Sequence, residues 1–172
     1  KRFLNIDKLS TASGTHDERG RLTGVADELA LPHFDRIEQP GQVQVYELVA
    51  GDEQGRATTV LERMARPLKD TRLLPRGWRA DGPHAPETAP VGVDADDDFG
   101  DGADTVTYAL VLPSSAGVAR VRARLCYQPV PPAWAAALEA SDSEEARRFL
   151  ALYAQAETAP EVLAQVMAEF TP

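Results

Sequence analysis

Residues 105–112 and 118–127 alternate apolar and polar side chains with a period of two, the spacing that gathers one kind of side chain onto a single strand face. In the first segment Val106, Tyr108, Leu110 and Leu112 share a side. In the second, Val121, Ala123, Leu125 and Tyr127 fall inward and Arg120, Arg122 and Arg124 outward. The intervening residues 113–117 carry proline, serines and glycine, so the two segments are predicted to pair as a hairpin. A second hairpin is expected upstream. Residues 42–50 put Val43, Val45 and Val49 on one face and Tyr46 and Leu48 on the other, as a central strand would. The turn residues 51–55 follow, then a return strand over 57–64 that Pro67 ends.

Past Pro129 the pattern turns helical. Pro132 sits in the first turn of a short helix over 132–140. Ser141 with Glu144 fits a capping box for a helix to about residue 155, with Phe149, Leu152 and Tyr153 on one face. Thr158 with Glu161 fits another, opening a helix through Phe170 striped by Val162, Val166 and Phe170. Strands first and helices last imply a mainly β chain: a β-sandwich of immunoglobulin or jelly-roll type with a C-terminal helical appendage. The 172 residues suit one domain with a sizeable core. Within it, 1–41 is poorly patterned, 42–130 forms the sandwich and 131–172 the helices. Residues 10–24 read as loop, and 25–37 as a helix or a strand. Beginning at Lys1, the chain is expected to be part of a longer protein.

Charge is distributed unevenly. The net charge is −9, and residues 80–119 hold no lysine or arginine but eight acids: Asp81, Glu87, Asp94, Asp96, Asp97, Asp98, Asp101 and Asp104. That field repels phosphate backbones and argues against nucleic acid, while favouring cations or a basic partner. No run of eighteen apolar residues is present to span a membrane. Cys126 is the only cysteine, which excludes an internal disulfide, Cys-x-x-Cys zinc sites and Cys-x-x-Cys-His haem attachment within these residues. His16, His33 and His84 show no metal-ligand spacing.

Two motifs carry candidate chemistry. The run 94–104 supplies Asp94, Asp96, Asp98, Asp101 and Asp104, oxygen donors of the kind calcium takes six to eight at a time. Its first three aspartates have the one-three-five spacing of an EF-hand. Phe99 occupies the sharp-turn glycine position, however, and Thr105 replaces the closing glutamate. A looser Ca²⁺ site therefore competes with a solvated loop whose aspartates make turns. The second motif, 69–78, brings Arg72 and Trp78 beside a Leu-Leu pair, either as a partner-docking loop or as a strand and packed turn. Arg120, Arg122 and Arg124 form a basic stripe, readable as a second partner contact or as the wet face of a strand. No phosphate-binding glycine loop, Gly-x-Ser-x-Gly element or catalytic constellation is found, and no catalytic residue is assigned.

The stretch from Lys69 through Asp70, Arg72, Leu73, Leu74 and Pro75 to Trp78, then Asp101, Gly102, Asp104 and Tyr108, then Leu125, Tyr127 and Gln128, resembles the C-terminal non-haem region of some bacterial multihaem cytochrome c proteins. The likeness runs over residues 43–130. It implies an extracytoplasmic accessory β-domain, periplasmic or on the cell surface. The partner would be a haem-bearing domain of the same polypeptide or another protein, with haem c held only there. The expected function is a non-catalytic binding or docking domain of an exported electron-transfer protein. The alternative is a calcium-stabilised β-sandwich that binds carbohydrate or a surface. An enzyme using the carboxylates of the acidic loop is a third, weaker reading.

Overall fold

The computed structural model describes residues 32–39, 42–111 and 119–170. Among them strand exceeds helix, in three two-stranded sheets of which none is closed; a sandwich is not confirmed. The loop expected over 10–24 and the turn over 113–117 lie outside these residues. Contacts divide the chain into two units, the one combining 28–37 with 43–109, the other containing 38–42 and 110–172.

The first unit contains β1 (Arg36–Ile37), β2 (Leu48–Gly51), β3 (Arg66–Asp70), the short helix α1 (Ala85–Thr88) and β4 (Thr107–Tyr108). β2 and β3 run antiparallel, Val49 opposite Lys69 and Gly51 opposite Arg66, with a bulge between Val49 and Ala50. Pro67 lies inside β3, opposite Ala50 beside that bulge, where a missing N–H is tolerated. The return strand expected over 57–64 is not formed. The turn itself is: Asp52 accepts from the N–H groups of Gln54 and Arg56, and Gly55 takes a positive φ of 76°. Beyond a single bridge, Gly51 to Ala57, the chain leaves the sheet and makes a 3₁₀ turn at Leu61–Arg63. The ladder is completed from β3 instead.

Ile37, Val49, Leu74 and Ala85 form the apolar core of this unit, with Thr71 fully buried beside Lys69. Thr71 Oγ1 donates to the Val45 carbonyl and accepts from the Glu47 N–H, so its enclosed hydroxyl is satisfied. Lys69 donates to the same Val45 carbonyl and to the Glu47 carboxylate, each at 3.0 Å. Burial pushes its ammonium pKa down, against the pull of Glu47. β1 and β4 pair in parallel, Arg36 with Thr107 and Ile37 with Tyr108.

The second unit holds β5 (Ala119–Tyr127), α2 (Pro132–Glu139), α3 (Glu144–Tyr153) and β6 (Glu161–Phe170). Two expectations are corrected here. β5 pairs with β6 rather than with the segment around β4, and the helix expected from Thr158 to Phe170 is that partner strand. The register runs antiparallel from Ala119–Phe170 to Tyr127–Glu161, with a bulge between Leu125 and Cys126 that leaves Leu163 as the extra residue. The faces of β5 are also reversed: Leu125 and Tyr127 are exposed, whereas Arg122 and Arg124 are half-buried. Arg122 and Arg124 stand opposite Met167 and Gln165 in the register.

The helix over 132–140 forms as α2. α3 begins two residues inside the expected capping box. Ser143, not Ser141, is its N-cap, its Oγ accepting from the Ala146 N–H at 3.1 Å. Phe149 and Tyr153 stack one turn apart, with ring centroids 5.9 Å from each other, while Leu152 is exposed. No helix among the described residues is long and apolar enough to cross a membrane.

Candidate functional site

The acidic run is folded down at both ends. At its start, Asp70 and Val91 exchange both backbone hydrogen bonds. At its end, Gly100 and Ala103 exchange theirs across Asp101 and Gly102, whose φ angles of 43° and 78° are both positive. Asp-Gly with two positive φ values is the signature of a tight two-residue hairpin turn. Gly102 has a further reason to lack a side chain. A Cβ there would lie 3.2 Å from the Leu74 carbonyl and 3.1–3.3 Å from atoms of Arg76.

The parallel register of β1 and β4 then builds the site. Arg36 faces Thr107, and three residues upstream of each lie His33 and Asp104. The pinned loop adds Asp96, and the segment leading into β2 adds Gln44 and Tyr46. His33 Nε2 lies 2.6 Å from Asp96 Oδ2, and the two side chains are only 3% and 2% exposed. Asp96 Oδ1 accepts from the N–H groups of Asp98 (3.0 Å) and Phe99 (3.1 Å), turning the chain around it. Asp104 Oδ2 accepts from the Tyr46 hydroxyl at 2.5 Å and, at 3.4 Å, from Gln44. Phe99 meets the His33 ring edge to face, centroids 5.3 Å apart, so the residue that spoils the EF-hand spacing serves as a wall of this cluster.

The network assigns the imidazole proton. Gln44 Oε1 accepts from the Phe34 N–H at 2.9 Å, which turns its NH₂ toward His33 Nδ1 at 2.6 Å. Nδ1 is therefore the acceptor, and the proton sits on Nε2, aimed at Asp96. Burial alone would raise the Asp96 carboxyl pKa. The hydrogen bonds from His33 and the Asp98 N–H outweigh it and hold the group below the usual carboxylate range. Tyr46 is shifted upward, first by burial and then by donating to Asp104.

One atom stands outside this accounting. Asp104 Oδ1 is buried and has no hydrogen-bond partner. It belongs to a set in which one donor atom each from His33, Asp96 and Asp104 lie within 4.8 Å of one another.

The other sequence candidates are not drawn in. Asp94 is exposed; Asp98, also exposed, accepts from the Thr105 N–H at 3.2 Å; and Asp101 accepts from the Gly77 N–H. Of the five aspartates, Asp96 and Asp104 converge. Arg72 is held by Asp70 through two hydrogen bonds of 2.8 and 2.6 Å. Trp78 donates its indole N–H to Thr88 Oγ1 at 2.9 Å. With Ala80, Asp81, Ala85, Pro86 and Ala89 it lines an open depression of about 460 Å³. Arg120 pairs with Glu169 at 3.0 Å across the β5–β6 ribbon, which carries Arg122 and Arg124 as well.

His33, Gln44 and Tyr46 are not marked as site residues by the sequence, because they lie about fifty to seventy positions from the aspartates they meet. The Asp101-Gly102 pair is the one available local signal, since it marks a turn that folds Asp96 and Asp104 toward a common point. Comparison with protein-family models, curated proteins and solved structures finds no match.

Proposed function

We propose that this chain is a non-catalytic docking domain that presents a rigid acidic surface to a basic protein partner. One observation carries the reading. The run 94–104 is sorted by the fold, with Asp96 and Asp104 turned in to anchor it, while Asp94, Asp97, Asp98 and Asp101 are exposed. Asp101 ties the run to Gly77, next to Trp78, so the acidic face adjoins the open depression that Trp78 lines. A preordered surface of one charge raises encounter rates and loses less entropy on binding than a floppy acidic tail. Residues 80–119 contain no lysine or arginine, and Asp81 is paired with Arg79 just ahead of the segment, so the charge that remains exposed is that of Glu87 and the run 94–104.

The resemblance to a non-haem region of multihaem cytochromes supports a haem-bearing domain of an exported protein, in the same polypeptide or another, as that partner. The test uses a lysine-rich peptide as a stand-in for a basic surface. Titration calorimetry at about 20 mM salt should show binding that fades near 0.5 M, where the Debye length falls to roughly 4 Å. The triple variant E87Q/D94N/D97N leaves the anchoring aspartates alone and should weaken binding about tenfold. Equal affinity of the variant and the parent chain would refute the proposal.

A further inference from the structure

Asp96 and Asp104 bring two carboxylates together, and the groups that hold them supply at most one positive charge, on the His33 ring; the backbone N–H groups of Asp98 and Phe99, the Tyr46 hydroxyl and the Gln44 amide are neutral donors. Neutral donors orient carboxylates but do not cancel their charge, and an enclosed pair of like charges calls for a positive one between them. Asp104 Oδ1 is where that charge is missing, being buried and without a partner. We infer that His33, Asp96 and Asp104 are the ligands of a first-row transition divalent cation of the Zn²⁺ type. The site draws Asp96 and Asp104 from the same run as the docking face but needs no docking partner.

The donor set selects the class. An imidazole nitrogen with carboxylate oxygens suits Zn²⁺ and its neighbours, and three protein ligands leave a fourth position for water. Calcium needs six to eight oxygens, and Asp96 Oδ1 is already committed to two backbone N–H groups. Around Zn²⁺, donors at about 2.0–2.2 Å from the ion stand roughly 3.4 Å apart. The set, now within 4.8 Å, would contract slightly while the 2.6 Å His33–Asp96 contact opens. Tyr46 holds Asp104 by its other oxygen, leaving Oδ1 to face the ion.

Gln44 makes the inference specific. A cation on Nε2 replaces the proton there and moves it to Nδ1, which then meets the NH₂ of Gln44. The amide must turn over and give up the Phe34 hydrogen bond. Glutamate at this position keeps both contacts, one oxygen accepting from Phe34 and the other from Nδ1–H, the carboxylate–histidine arrangement that strengthens metal ligation, in exchange for the 3.4 Å amide donation to Asp104.

The experiment is thermal unfolding and calorimetry of the whole chain with ZnCl₂, in parallel with CaCl₂. At free Zn²⁺ about a hundredfold above Kd the midpoint should rise by about 5–10 °C. The Asp104→Asn variant removes a buried charge and should fold but lose the shift, while Gln44→Glu should bind Zn²⁺ about tenfold more tightly. No Zn²⁺ shift in the parent chain overturns the inference and leaves a proton as the occupant. So does a shift undiminished in Asp104→Asn, which would trace to other histidines. Stabilisation by Ca²⁺ alone overturns the cation class, and unchanged or weaker affinity in Gln44→Glu removes His33 from the ligand set.

Discussion

Replacing Asp96 with alanine removes three acceptor contacts at one stroke. The donors left behind are the Asp98 N–H, the Phe99 N–H and His33 Nε2–H, at 3.0, 3.1 and 2.6 Å in the intact chain. Asp98 is exposed, so water replaces its acceptor at little cost. The His33 side chain is 3% exposed and the Phe99 N–H is half-buried; neither has an easy substitute. An enclosed donor without a partner costs about 1–3 kcal/mol. Two of them, less the relief of separating Asp96 from Asp104, give a loss of about 2–4 kcal/mol in the unit that contains the site. The chain has two tryptophans, Trp78 in this unit and Trp134 in the other, so a Trp134→Phe background makes Trp78 fluorescence report this unit alone. Urea unfolding in that background should show the full loss for Asp96→Ala. A loss under about 0.5 kcal/mol, the level of an ordinary surface change, would refute the claim that Asp96 anchors the loop.

Asparagine at the same position sharpens the test. Its carbonyl can still accept from Asp98 and Phe99, but its NH₂ faces a His33 nitrogen whose proton Gln44 has fixed in place. Asp96→Asn should therefore destabilise. In the double variant with Gln44→Glu the imidazole proton moves to Nδ1, and Nε2 can accept from the asparagine. The double-mutant cycle should show a stabilising coupling of about 1 kcal/mol or more. Strict additivity would contradict the proton assignment.

Three further outcomes are expected. Gly102→Ala, at φ 78° with atoms 3.1–3.3 Å from the new Cβ, should cost about 1–2 kcal/mol in urea unfolding, whereas Gly100→Ala, with nothing within 4 Å, should cost less. Ser143→Ala should lower stability of the helical unit by about 1 kcal/mol by Trp134 fluorescence, and Ser141→Ala should leave it nearly unchanged, which separates the two cap assignments. The Asp52 carboxyl is held below its ordinary value, chiefly by the Arg56 N–H. Because the folded pKa is the lower one, its contribution is complete above the unfolded value near 4 and is lost as pH falls through the folded value. The melting-temperature gap between the parent chain and Asp52→Ala should thus be full at pH about 6 and narrow progressively as pH falls below the unfolded value near 4.

The sequence made individual strands visible without making their partners visible. Residues 119–127 are a strand, as their alternation requires, but alternation fixes faces and says nothing of which edge is paired. β6 shows a second ambiguity. Val162, Val166 and Phe170 recur every four residues, close to one helical turn and also a multiple of the strand period of two. With Thr158 and Glu161 imitating a capping box, local signals favoured a helix, and the cross-strand partners Val166–Ala123 and Ala164–Leu125 decided for a strand. Pro67 misled in the opposite sense, since a proline reads as a strand end unless the bulge beside it is known. At the site, the Asp94–Asp96–Asp98 spacing pointed to convergence along the chain. Convergence came instead from a parallel strand pair that brings Asp104 to His33, a relation of register invisible in local spacing.

The sorting of the acidic run follows from backbone needs as much as from charge. A segment this rich in aspartate cannot bury all its carboxylates, and a segment lying against a core cannot leave all its N–H groups unpaired. Asp96 meets both demands, giving one oxygen to the backbone it turns and the other to His33. Asp98 and Asp101 likewise cap backbone N–H groups, at Thr105 and Gly77, but from exposed positions where their charge stays hydrated. Among these four, Asp104 alone has a buried oxygen with no hydrogen-bond partner. Turn-making therefore accounts for three of these aspartates and leaves Asp104, whose Oδ1 is buried without a partner, as the one it does not explain.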